Sequence, residues 1–197
     1  MAYDVTLKTK TIGGELNIFD SEHIRWIRGA VTLDHTKVNA DANGKKVLKL
    51  GEFLGKITAT GKYAPTKHTT LAVAALSTDT VLKVNDASRF QAGDAIDVAG
   101  TAATIAAGGI NTGVTPHEIT LTAQIGAAKN VGDAVKATDG SGNFDLMLGE
   151  TVDLAVGDGT FADAVATAFD EARVINARLP RQATDAAKAQ LTGIKFV

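Results

Sequence analysis

The side chains best suited to proton transfer or metal binding are four histidines, His23, His35, His68 and His117, and they are scattered along the 197-residue chain. No HExxH pair sets two imidazoles on one helix face, so a zinc site would require separate loops to converge, and hydrogen-bonded or surface histidines are the plainer expectation. Ser21, Ser77, Ser88 and Ser141 lie in no G-x-S-x-G turn, which leaves a nucleophile elbow without support. The GDGT run at 157–160 is not followed by Lys-Ser/Thr and so lacks the cation and hydroxyl of a phosphate cradle. The nearest approach to a site is DGSGNFD, where Asp139, Ser141, Asn143 and Asp145 alternate as the oxygen ligands of a calcium loop do. Phe144 stands where that loop needs glycine, and a polar linker between strands accounts for the same residues. The expectation is a protein that is not an enzyme, with no catalytic residues, no cofactor and no metal.

Composition narrows the partners. Lys and Arg total 20 against 22 Asp and Glu, a formal charge of -2, which provides no electrostatic footprint for nucleic acid or an acidic membrane. Cysteine is absent, so disulfides, thiolate metal sites and a Cys nucleophile are excluded, and stability must come from packing or association. The first twenty residues contain no apolar h-region, and no window reaches the ~20 apolar residues that span a bilayer. A protein soluble in the compartment where it is made is expected.

The elements that would position any site are strands. KVLKLGEFLGKITATGKYAP, residues 46–65, alternates apolar positions with glycines and lysines and predicts strand, turn, strand. Lys45, Lys46, Lys49, Lys56 and Lys62 are expected to face solvent. Asn43-Gly44 just ahead predicts a turn, since both residues tolerate positive φ. Residues 24–33 predict one strand or a pair, broken at Gly29, and the apolar neighbours of Trp26 place it in the core; an exposed ring would instead anchor a partner. Tyr3, Val5 and Leu7 alternate with Asp4, Thr6 and Lys8 up to Gly13-Gly14, a pattern that suits an extended arm, an ordinary first strand or a disordered tail.

Residues 68–141 differ in character, rich in Ala, Thr, Val and Gly, and contain a faint repeat. Leu82 precedes Gly93-Asp94 at the same spacing as Leu121 precedes Gly132-Asp133, and each copy runs on into a short apolar stretch, 95–98 and 134–137. Two copies are too few for a solenoid, so a small all-β module is predicted, with DASRFQAGDAIDV resembling β domains appended to phage structural proteins. Further on, 146–154 reads as one strand. Residues 160–179 fit helical and strand spacing alike, with abundant Ala favouring helix. Residues 183–191 suit a short helix after Pro180, and 193–197 a closing strand.

These segments carry a family resemblance. The 46–65 stretch resembles the corresponding segment of head decoration proteins of tailed bacteriophages, the trimeric caps related to phage lambda protein D; FDEARV at 169–174 resembles that family's GEFNEA strand; and DAAKAQLTGIKFV is similar to the family's C-terminal end. The likeness covers residues 44–67 and 142–197, with 22–35 a looser match, and 68–141 departs from it as an insertion. It implies a mainly β fold, a small β-barrel or β-tulip-like decoration domain with a short C-terminal helix plus an inserted small all-β domain. The implied organisation is an extended N-terminal arm at 1–21, a discontinuous capsid decoration domain at 22–67 and 142–197, and an inserted β domain at 68–141, with 166–174 as a strand. It further implies a structural virion protein, a homotrimer on the outer surface of the capsid, assembled in the host cytoplasm. Such a protein stabilises the expanded head at three-fold and quasi-three-fold positions, and its arm residues Ala2, Tyr3, Asp4, Val5, Thr6 and Leu7 contact the major capsid protein; no nucleic acid or membrane partner is implied. The alternative reading is a surface-displayed module for host glycan or cell envelope, for which Phe90 is the only aromatic residue in 68–141.

Overall fold

In a computed structural model, residues 17–157 and 159–197 are described. The arm residues Ala2–Leu7 lie outside them. The described residues are mainly β, with curled sheets and, among them, one short α-helix near the C-terminus. Among the described residues no helix is long and apolar enough to cross a membrane.

In chain order the strands are β1 (Phe19–Trp26), β2 (Val31–Leu33), β3 (Val47–Leu48), β4 (Phe53–Lys56) and β5 (Tyr63–Pro65), followed by β6 (His68–Thr70), β7 (Val81–Val84), β8 (Ala95–Val98), β9 (Thr101–Asn111), β10 (His117–Leu121) and β11 (Ala134–Ala137). The chain continues with β12 (Leu146–Leu148), β13 (Val152–Asp153), β14 (Ala155–Gly157), β15 (Thr160–Phe161), β16 (Ala164–Ala166) and β17 (Ala168–Val174). Helix α1 (Asp185–Gln190) and β18 (Ile194–Phe196) close it.

Strands from both ends of the chain build one sheet in the order β1-β17-β12-β4-β5-β2-β16, with β18 added in parallel to β17. We call this part the base. The 46–65 signature supplies its β4–β5 hairpin, which turns at Gly61 with φ +70°. Phe53 and Leu54, adjacent on β4, face opposite sides of the sheet and enter separate apolar clusters, one with Phe144, Phe169 and α1, the other with Leu33, Leu48 and Leu148. Lys45, Lys49 and Lys56 are exposed as expected. Lys46 instead donates to His35 O and lies over the Phe161 ring, and Lys62 pairs with Asp163.

Residues 168–174 are a strand despite their alanines. Pairing with β1 on one side and with β12 and β18 on the other buries Ala168, Phe169, Ala172 and Val174, and that packing outweighs intrinsic helix propensity. The strand begins two residues later than the expected 166, because Thr167 turns aside to donate to the Glu150 carboxylate. Two further expectations are corrected. The 146–154 stretch is two strands, since the chain crosses at Gly149 from the main sheet to a separate pairing of β13 with β3. Trp26 is 44% exposed rather than core: it lies at the end of edge strand β1, making edge contacts to Phe19 and Phe169 and resting on the space that Gly149 leaves open.

The six intervening strands form their own sheet, β6-β11-β8-β9-β10-β7. Its two ends are also joined: Leu71 bridges Val84, Ala72 N–H donates to Lys83 O and Asn85 N–H donates to Thr70 O. The sheet therefore curls back on itself as a small barrel around Leu71, Leu82, Val84, Phe90, Ile96, Ile119 and Val135. The repeat seen in the sequence is a structural one. Each copy runs strand, Gly-Asp turn, strand, and the copies pair antiparallel with each other, β7 with β10 and β8 with β11.

Candidate functional site

The incoming strand β6 and outgoing strand β11 are antiparallel neighbours, with Lys136 opposite His68, so the barrel leaves and rejoins the base at one place. That junction holds the most heavily buried charges among the described residues. Lys67 is 0% exposed and its ammonium reaches both Asp94 oxygens, at 2.9 and 2.7 Å, and Gln91 Oε1 at 3.2 Å. Burial pushes its pKa down from the ordinary value, against the pull of the Asp94 carboxylate. Beside it Glu52 of the base, 1% exposed, takes a 2.5 Å ion pair from Arg89 of the barrel. The other atoms of this pair, Glu52 Oε1 and Arg89 Nε, are buried with no hydrogen-bond partner among the described residues. Asn39 Nδ2 donates to the carbonyls of Ser88 and Phe90, and Gln91 Nε2 to Thr36 O. These contacts hold the barrel to the base through side chains far apart in sequence.

Between base loop 39–49 and the barrel lies an open cleft of about 770 Å³, lined by Lys45, Lys49 and Arg89 among others. Two smaller cavities, about 180 and 520 Å³, share His68, Thr70 and Thr184. His68 is 8% exposed, packs its ring on Phe144 at 5.2 Å and has no partner for Nδ1 among the described residues. Burial, then Arg181 and Lys136, push its pKa down to about 4, so the ring is neutral at neutral pH. Sequence reading expected surface or hydrogen-bonded histidines and missed this one; its position at the barrel's first strand was the one signal present.

The structure does bring one histidine and two carboxylates together. Ligand atoms of Asp34, His35 and Asp163 lie within 4.8 Å of one another. The cluster is already occupied by protein donors: His35 Nδ1 meets Asp163 at 2.8 Å, Lys62 Nζ meets it at 2.5 Å, and Thr36 N–H and Oγ1–H both donate to Asp34. Lys62 and His35 hold the Asp163 carboxyl well below the usual range. An ammonium seated among the carboxylates makes this an ion-pair knot rather than a cation site.

The calcium-like spacing is likewise spent on structure. Asp139 pairs with Lys37 at 2.9 Å and accepts from Ser141 Oγ–H, while Asp145 accepts from Lys56 N–H. Glu150, twelfth counting from Asp139, accepts from Thr167. Asp139 and Asp145 thereby fasten the outgoing linker to the base. Neither a family model, nor a curated protein, nor a solved structure matches the chain.

Proposed function

We propose that the protein is a structural virion component, a capsid decoration protein that binds the outside of the expanded phage head at three-fold and quasi-three-fold positions as a homotrimer. The observation that carries this reading is the assembly of the two decoration-like stretches. Residues 44–67 and 142–197 resemble one family, and their strands β4, β5, β12 and β17 lie side by side in one sheet although the whole barrel separates them in the chain. The charges at the junction fit the same reading, since Lys67, Asp94, Glu52 and Arg89 are committed to joining two β modules.

A trimer that binds only the expanded lattice favours that state by mass action, and several contacts per trimer multiply the effect through effective concentration. In this reading arm residues Ala2–Leu7 add as a strand to the major capsid protein, satisfying backbone donors and acceptors. The glycan-module alternative loses support from Phe90, which is 2% exposed inside the barrel core and so offers no stacking platform.

The test is to mix the purified protein with expanded, undecorated heads and image them by cryo-electron microscopy. Density at the three-fold positions is expected, and bare heads overturn the proposal. Deleting residues 2–12 is expected to leave a folded trimer that no longer binds heads; full occupancy without the arm would sink its role.

A further inference from the structure

The cavity beside His68 combines a buried polar atom lacking a partner, an underused cation and a positive field. Nδ1 of His68 is buried and unpaired, and leaving it so costs free energy that a bound group could recover. Arg181 lines the same cavity of about 180 Å³, its side chain 18% exposed, and donates one hydrogen bond, to Thr66 O. The guanidinium also lies over the Phe53 ring at 5.7 Å and feels the Glu52 carboxylate, but among the described residues its other N–H groups make no further hydrogen bond, only a loose approach to Asp86 at 3.9 Å.

The charges facing His68 come from every element packed around it. Lys136 lies opposite it on β11, Arg181 approaches from the segment before α1, and Asp86 lines the cavity from the loop after β7. Asp185 at the start of α1 stands at the mouth of the adjoining cavity, fully exposed, and the neighbouring Lys67 is turned to Asp94. Asp86 is the one carboxylate inside, and it is engaged: it accepts from Ser88 N–H and faces His117 at 3.6 Å. Although burial alone would raise its pKa, hydrogen bonds from Ser88 and the fields of Arg181 and Arg89 keep it below the usual range. The charges that act on the imidazole are Arg181 and Lys136, both positive.

We propose that this cavity binds a small carboxylate, one oxygen on the Arg181 guanidinium and the other on the His68 ring, which takes a proton from solvent as the anion arrives. A planar pair of oxygens suits the guanidinium fork, and with Glu52 and Asp86 already acting on Arg181 the site holds no more than a single negative charge. The Phe144 ring forms an apolar wall, and the adjoining cavity of about 520 Å³ has room for the organic remainder of the acid. Because free His68 is neutral and bound His68 is protonated, affinity rises as pH falls. This inference stands apart from the capsid reading and would hold if that reading failed.

The test follows the His68 ring by NMR in the full chain while acetate, and separately acetamide as its uncharged counterpart, is titrated in. Acetate is expected to shift the His68 resonances and move their titration midpoint upward, with acetamide doing neither. Between about pH 7 and 5.5 the acetate affinity is expected to increase by up to about tenfold per pH unit. Arg181→Lys, which keeps the charge and loses the fork, is expected to weaken binding by about tenfold with the His68 signal still reporting a folded protein. Unmoved His68 resonances, equal shifts from acetamide, or an affinity flat with pH would each overturn the proposal.

Discussion

At Gly93-Asp94 and at Gly132-Asp133 the barrel makes the same turn twice. Both glycines have positive φ, 83° and 88°, and both aspartates accept a hydrogen bond at 2.8 Å from the backbone N–H three residues earlier, Gln91 in one and Asn130 in the other. Each aspartate N–H also donates back to that same residue's carbonyl at 3.2 Å. Their surroundings differ. Asp94 is 8% exposed and closes on the fully buried Lys67, whereas Asp133 is partly exposed and makes no ion pair among those of the described residues. A local sequence repeat therefore specifies a backbone shape twice, and tertiary position decides that only one copy becomes the bolt between barrel and base.

The widest gap between the two turns should open when the bolt is broken. Lys67→Met leaves Asp94 as an uncompensated buried carboxylate and is expected to cost about 3–5 kcal/mol of unfolding free energy, read from urea denaturation. Adding Asp94→Asn, which keeps a side-chain acceptor for Gln91 N–H, should return most of that loss, because removing both charges avoids stranding one. A cost for Lys67→Met below about 1 kcal/mol would place the pair among solvent-screened contacts and erase the contrast between the turns.

Acid should weaken the same junction through His68. Its pKa in the folded protein is about 4 against the ordinary 6.5, so between those values the unfolded chain binds more protons than the folded one. The stability from keeping the ring neutral is thus complete above pH 6.5 and is lost as pH falls through about 4, a gap worth roughly 3 kcal/mol. Urea midpoints in carboxylate-free buffer should fall across that window in the native protein, and His68→Phe should flatten this part of the profile. An unchanged slope in the variant would assign the acid sensitivity to the carboxylates instead.

How much of this was legible in the sequence depends on how far each partner lies along the chain. The β4–β5 hairpin, the Asn43-Gly44 turn, the repeat and the C-terminal helix and strand are set by neighbours a few residues away, and their spacing announced them. Asp41 accepts from Asn43 and Lys45 N–H, and Gly44 has φ +74°, a turn written in five adjacent letters. Lys67 and Arg89 look like ordinary surface cations in sequence, because Asp94 lies 27 residues from the one and Glu52 lies 37 from the other. His68 was illegible for the same reason: Phe144 and Arg181, which meet it in the fold, lie 76 and 113 residues further along the chain. Trp26 misled because it ends the edge strand β1, whereas Val31 and Leu33, a few residues on in the same apolar run, belong to the interior strand β2 and are buried.

The likeness of the turns, as opposed to their difference, is tested by the glycines. Neither Gly93 nor Gly132 has an atom within 4 Å of where a Cβ would sit, so substitution meets no clash and probes backbone strain alone. Gly93→Ala and Gly132→Ala should each cost about 1–2 kcal/mol for holding an L-residue at positive φ. The two costs should agree within about 0.5 kcal/mol; a larger disagreement would show that the turns match in pattern but not in conformational demand.

The smallest effect separates the aspartates themselves. Asp133→Ala removes the hydrogen bond to Asn130 N–H in a partly exposed turn where water can replace it, so the expected cost is about 0.5–1 kcal/mol. Asp94→Ala removes the equivalent bond to Gln91 N–H and also strands the Lys67 ammonium, so its cost should exceed that of Asp133→Ala by about 2 kcal/mol or more. Measured in the Lys67→Met background, where no cation remains to be stranded, the excess should shrink toward zero. Persistence of the excess there would mean that Asp94 serves the junction by some contact other than Lys67, and the second turn would then differ from the first by more than a single missing lysine.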